Sequence, residues 1–141
     1  VVDIYMPDFK FWDSPVAEGL CNAPDYRERA CSALREMHRQ VGDLEINAAG
    51  VAERGLLVRH LVMPGGMAGT ASVLQFLAEG ISRSTYVNVM DQYHPCGEAF
   101  GKPNLGRRIT HREYEEALDA AGQAGLWRLD ARQKYWMVQE E

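Results

Sequence analysis

Residues 54–66 read R-G-L-L-V-R-H-L-V-M-P-G-G, and this stretch decides the fold. Gly55 opens it, Pro64, Gly65 and Gly66 close it, and Leu56, Leu57, Val58, Leu61, Val62 and Met63 lie between. The run is too short for an ordinary helix and carries aliphatics on both parities. A strand covered on both faces, in a parallel sheet or barrel, has this pattern. Arg59 and His60 interrupt it. Being adjacent, they point to opposite faces, and a buried face demands a partner or a solvated cavity for each. They are read either as parts of a structural ion pair or with one of them turned into a ligand site.

Outward from this strand, helix and strand signals alternate. Residues 1–6 are rich in β-favouring side chains and are read as a strand ended by Pro7, with Asp8, Phe9 and Lys10 beyond it. Residues 13–24 hold Ser14, Pro15, Gly19, Asn22 and Pro24 and are read as loop. From Asp25 to about Gln40, Tyr26, Ala30, Ala33, Leu34 and Met37 recur at three- and four-residue steps, which predicts a helix stopped by Gly42. Leu44, Glu45 and Ile46 are a short strand that turns at residues 47–50 into the central one. Thr70 or Ser72 caps a helix reaching about Gly80, and residues 85–90 are the third main strand. Thr110-His111-Arg112-Glu113 is a capping box opening a helix that Gly125 ends, and residues 126–129 are a last short strand.

This order predicts an α/β fold with three main parallel strands, flanking helices and right-handed crossovers, in a single domain over residues 1–141. Three strands leave open edges. Together with a start inside a strand, this predicts a piece of a larger barrel or open sheet.

Composition narrows the function classes. The net charge is −5 and no long basic run occurs, which disfavours nucleic acid as a partner. No apolar run approaches the roughly 20 residues of a membrane span, and Asp3, Asp8 and Lys10 fit no signal peptide. Cys21, Cys31 and Cys96 form no C-x-x-C, and so sparse and odd a count suits a reducing cytoplasm.

In parallel α/β folds ligands gather at the C-terminal strand ends. The first such end carries Asp8 and Lys10, two apart and on one face. They are either a loop ion pair or part of a site. The second carries Gly65-Gly66-x-x-Gly69-Thr70, a turn resembling a phosphate cradle but without the lysine of a P-loop. The third carries Gln92, Tyr93 and His94, with Asn88, Gln92 and His94 on one parity. Lys102 falls in the irregular loop beyond the pocket. His94 and Cys96 are too few ligands for a metal site.

Four stretches carry a family resemblance: I-Y-M-P-D-F-K (4–10), Q-V-G-D-L (40–44), the central strand (54–66) and Y-V-N-V-M-D-Q-Y-H-P-C (86–96). They resemble radical S-adenosylmethionine proteins of the pyruvate formate-lyase activating enzyme type, over nearly the whole chain. The resemblance implies the C-terminal half of a partial (β/α)6 barrel. It implies that Asp8, Phe9 and Lys10 contact S-adenosylmethionine, that His94 does likewise, and that Arg59 faces the barrel interior. It also implies a [4Fe–4S] cluster, reductive cleavage of the sulfonium to a 5′-deoxyadenosyl radical, and a protein or peptide substrate such as a glycyl-radical enzyme. The C-x-x-x-C-x-x-C motif that holds the cluster in such proteins is absent here. The chain is therefore expected to be inactive alone, and its uncovered lumen face and edges are expected to make it self-associate or leave it only marginally stable. Two other readings stand beside this one: a stand-alone module binding a small anion at the turn of residues 65–70, and an acidic protein-interaction domain without a ligand.

Overall fold

The computed structural model describes residues 2–130, so Val1 of the first expected strand lies outside the described residues. The fold is mixed α/β. Strand β1 (Ile4–Tyr5) pairs in parallel with β3 (Ala52–Leu61), and β3 pairs in parallel with β4 (Tyr86–Met90). A short β2 (Glu45–Ile46) runs antiparallel to the start of β3, giving the small hairpin expected there. Asn47 closes it, its side-chain oxygen accepting the amides of Ala49 and Val51. Beyond β4, a single parallel bridge joins Val87 to Leu129, so the expected last strand is one rung long.

The helices are α1 (Ser14–Cys21), α2 (Tyr26–Val41), α3 (Thr70–Phe76, continued by a π turn, Leu77–Ile81) and α4 (His111–Ala124). Two of them fit their sequence signals closely. Gly42 caps α2, and α4 opens on a complete capping box between Thr110 and Glu113 and ends at left-handed Gly125. The helix α1 corrects the loop expected over residues 13–24. Pro15 lies in its first turn, where no intrahelical N–H is needed, and Asn22 takes the left-handed cap (φ 53°). Thr70 also departs from expectation: α3 is capped by Gly69, and the Thr70 hydroxyl bonds elsewhere. Among the described residues no helix is long and apolar enough to cross a membrane.

Period-two alternation sorts β3 cleanly. Leu56, Val58, His60 and Val62 are buried, while Leu57, Arg59, Leu61 and Met63 are half-buried on the other face. The buried row meets Leu34 and Val41 of α2, Val73 and Leu74 of α3, and Ala117 and Ala121 of α4 in one core with Val87 and Val89. The helical layer therefore covers one face of the sheet. On the opposite face Ile4 and Met6 remain exposed.

The lower ends of the strands are closed by residues 40–44. The Leu56 amide bonds the Gly42 carbonyl at 3.0 Å, the Asp43 carboxylate takes His38 at 2.8 Å and the Ser82 hydroxyl at 3.1 Å, and Arg128 donates to the Leu44 carbonyl at 2.7 Å. Gly55 permits this approach. Its φ is +113°, and a Cβ there would collide with the Asp43 carbonyl oxygen and the Leu44 Cα. Gly55→Ala should therefore lose roughly 1–3 kcal/mol to backbone strain and a similar amount, roughly 1–3 kcal/mol, to overlap. The measurement is the urea midpoint, and an unchanged midpoint would mean that the turn yields freely.

Candidate functional site

The upper end of β1 is built by β3. Pro7 accepts the Arg59 amide and the Phe9 amide donates to the Arg59 carbonyl, both at 2.9 Å, so Asp8 sits level with Arg59 in a parallel bridge. Arg59 is in turn level with Asn88. Asp8, Arg59 and Asn88 thus form a row across three strands on the face away from the helices. The Asp8 carboxylate is shared: Oδ1 lies 2.7 Å from Arg59 Nε and Oδ2 lies 3.4 Å from Lys10 Nζ. The expected Asp8–Lys10 ion pair exists but is half of a three-residue arrangement. With Arg59 37% and Asp8 27% exposed, such a pair contributes at most about 1 kcal/mol to stability. Its consequence is orientation.

Helix α2 holds the same segment from behind. The Tyr26 hydroxyl accepts the Lys10 amide at 2.8 Å and donates to the Asp8 carbonyl at 3.3 Å, and burial pushes its pKa up. In the sequence Tyr26 reads only as one residue of an apolar stripe. Its role depends on a contact sixteen residues away, which periodicity does not carry.

Asp8, Lys10, Arg59 and His94 line one cleft of about 660 Å³, with Leu61 and Met90 among its walls. His94 is exposed, and its Nδ1 is 3.3 Å from the Gln92 carbonyl. Tyr93 ties this loop down by donating to the Leu105 carbonyl at 2.8 Å. A neighbouring hollow of about 510 Å³ shares Lys10, Leu61 and His94 and extends to Lys102, which lines this hollow and not the cleft itself.

Phe9 does not join the cleft. Its side chain is fully buried against Trp12, Tyr26 and Phe76, on the helix side of the sheet. Alternation requires this, since Asp8 and Lys10 occupy the other side. His60 follows the same rule. It is fully buried, with Nδ1 2.7 Å from the Phe9 carbonyl and Nε2 2.9 Å from the Thr70 hydroxyl. A carbonyl only accepts, so Nδ1 carries the proton and Nε2 accepts from Thr70. Burial lowers the His60 pKa, the bond to Phe9 opposing this, and the ring is neutral near pH 7.

The turn at residues 65–70 has its first amide taken from within. The Gly65 amide donates to Glu113 Oε1 at 2.8 Å. Arg107 pairs with the same carboxylate and, with the Thr110 and Gly65 amides, holds it far below its usual range. A hollow of about 280 Å³ beside the turn is lined by Gly66, Gly69 and Thr70 and by Glu113 and Glu116, each carboxylate paired with an arginine. The phosphate-cradle expectation misses this because Glu113 comes from a helix more than forty residues on. Cys21 and Cys96 are exposed and Cys31 half-buried, all unbridged. Among the described residues no three His, Cys, Asp or Glu side chains gather to hold a metal ion.

No family model matches the chain, and no solved structure matches it. Over 127 residues it is 32% identical to an uncharacterized protein of Methanocaldococcus jannaschii, a match covering 89% of this chain and 33% of that protein. The chain thus spans about a third of the length of the curated relative it matches.

The lowered pKa of His60 has a sign that can be checked. The unfolded chain binds this proton more readily, so stability is lost as pH falls below the ordinary value of 6.5. The slope approaches about 1.4 kcal/mol per pH unit for one proton. Urea unfolding between pH 7 and 5, above the range where carboxylates titrate, should show this slope, and His60→Asn should flatten it. An equal slope in the variant would assign the proton to another group.

Proposed function

We propose that this chain is the C-terminal part of a radical S-adenosylmethionine protein of the pyruvate formate-lyase activating enzyme type. In this reading its sheet belongs to a partial (β/α)6 barrel, whose other strands come from elsewhere in a longer protein. The reading is carried by one observation: Asp8, Lys10, Arg59 and His94, from three separate motif stretches, line a single cleft at the C-terminal strand ends. The one-sided helical layer supports the barrel, because the uncovered face becomes its lumen. The partial coverage of the relative's length agrees with a longer protein.

The cleft residues suit the cofactor. At about 660 Å³ the volume falls within the roughly 300–1,000 Å³ of small-molecule sites. Lys10 and Arg59 offer cations to the carboxylate of S-adenosylmethionine, Asp8 offers an anion to its ammonium, and His94 offers a hydrogen bond. S-adenosylmethionine supplies a sulfonium that cleaves on one-electron reduction. This chain does not fit the [4Fe–4S] cluster that would deliver the electron: it has no C-x-x-x-C-x-x-C, and its described residues hold no ligand group. Its residues bind and orient, and their contribution is positional and electrostatic. In the longer protein a protein or peptide substrate, such as a glycyl-radical enzyme, follows from the same reading.

Two measurements test it. In the full-length protein Lys10→Ala should weaken S-adenosylmethionine binding by about ten- to a hundredfold, the worth of a charge-assisted hydrogen bond. His94→Ala should cost less. Lys10→Arg should rescue only in part, because a planar fork does not replace a compact ammonium. Arg112→Ala, exposed in the first turn of α4 and outside the cleft lining, should bind normally. Calorimetry in which Lys10→Ala matches wild type would return Asp8, Lys10 and Arg59 to a structural ion cluster. The 141-residue chain alone should self-associate in sedimentation, since Ile4 and Met6 stay exposed beside the edge of β1 that no other described strand pairs. A strict monomer at high concentration would instead favour an independent module.

A further inference from the structure

The cleft stands on a buried element that none of its own residues explains. His60 lies behind the sheet, out of reach of any ligand in the cleft, yet both its ring nitrogens are committed. One bonds the carbonyl of the Phe9–Lys10 peptide, and the other bonds Thr70 at the start of α3. From the cleft side, Arg59 holds the same segment through the Asp8 carboxylate. The dipeptide Arg59-His60 therefore grips residues 8–10 from both faces of the sheet.

We infer that His60, with Thr70 behind it, is a positioning residue for the cleft: the Thr70–His60–Phe9 chain of hydrogen bonds sets where Asp8 and Lys10 present their charges. The fit is specific in its chemistry. The Phe9 carbonyl needs a donor and the Thr70 hydroxyl needs an acceptor. One imidazole satisfies both, whereas an aliphatic of similar size would satisfy neither. Leaving the buried Phe9 carbonyl unpaired would favour rotation of its peptide, and the rim charges would move with it. The carbonyl and the hydroxyl come from different elements, so the position of α3 is communicated to the rim.

The test is hydrogen exchange on the full-length protein, reading the Phe9 and Lys10 amides against those of Val62, just past the end of β3 and bonded to the Met90 carbonyl, and Val87 in β4. Thr70→Val keeps the shape and removes the hydroxyl, and Thr70→Ser restores it. Thr70→Val should speed exchange at Phe9 and Lys10 by about fivefold or more relative to Val62 and Val87, and Thr70→Ser should not. His60→Asn, whose amide nitrogen takes the place of Nδ1, should protect Phe9 and Lys10 better than His60→Ala. Uniform acceleration of all four amides in Thr70→Val, or no change at Phe9 and Lys10, would overturn the inference and leave His60 a simple core residue. A second arm rests on the cofactor reading: S-adenosylmethionine affinity should fall about fivefold in Thr70→Val and recover in Thr70→Ser. Wild-type protein that fails to bind S-adenosylmethionine would sink that reading alone, because the exchange arm needs no ligand.

Discussion

Parallel pairing of β3 on both edges is the constraint on which the rest depends. Once residues 55–61 are locked between β1 and β4, side-chain direction is no longer free, and adjacent residues must serve opposite faces. Arg59 then has to meet whatever lies on the uncovered side, and His60 has to be satisfied inside the core. Both requirements are met by residues 8–10. The parallel bridge at Asp8 and Arg59 brings a carboxylate to the first and a carbonyl to the second.

The two ends of the sheet divide the labour. At the lower end, residues 40–44 pack on Gly55 so tightly that no side chain fits between them, and the polar groups there are consumed in capping and closing contacts. At the upper end the backbone is equally tied, but the side chains of Asp8, Lys10, Arg59 and His94 face a cleft. The motif Q-V-G-D-L thus reads as architecture, while P-D-F-K and R-H carry both architecture and the proposed ligand contacts. Phe9 illustrates the double use: its ring anchors an aromatic cluster, and its carbonyl anchors the rim through His60.

Internal neutralisation weighs against the rival site. A glycine turn before a helix looks like an anion cradle only while its amides await a ligand. Here the Gly65 amide already has a carboxylate, and Arg107 balances that carboxylate's charge. Glu113 therefore does three things at once: it completes the α4 capping box, closes the turn and pairs with Arg107. The chemistry of an incoming anion is supplied from within.

Much of this was legible in the residues. Alternation along β3, the three- and four-residue steps of α2, and the capping box of α4 are local signals, because periodicity and capping act within a few residues. They determined the order of the three main strands and of α2, α3 and α4, the parallel α/β class and the opposed directions of Arg59 and His60. The helix α1 was not legible, because Pro15 and Asn22 mark loop interiors and helix ends alike, and only packing of Ala17 into the core decides between them. Nor was the sharing of Asp8 between Lys10 and Arg59, the grip of Tyr26, the Thr70–His60–Phe9 chain or the capture of the Gly65 amide by Glu113. Each depends on a contact between residues ten to fifty-one positions apart. The sequence by itself determined which groups were available and which face each would take. Only the tertiary structure decided which of them met, because hydrogen bonds and ion pairs depend on distances that the fold, and not the local pattern, sets.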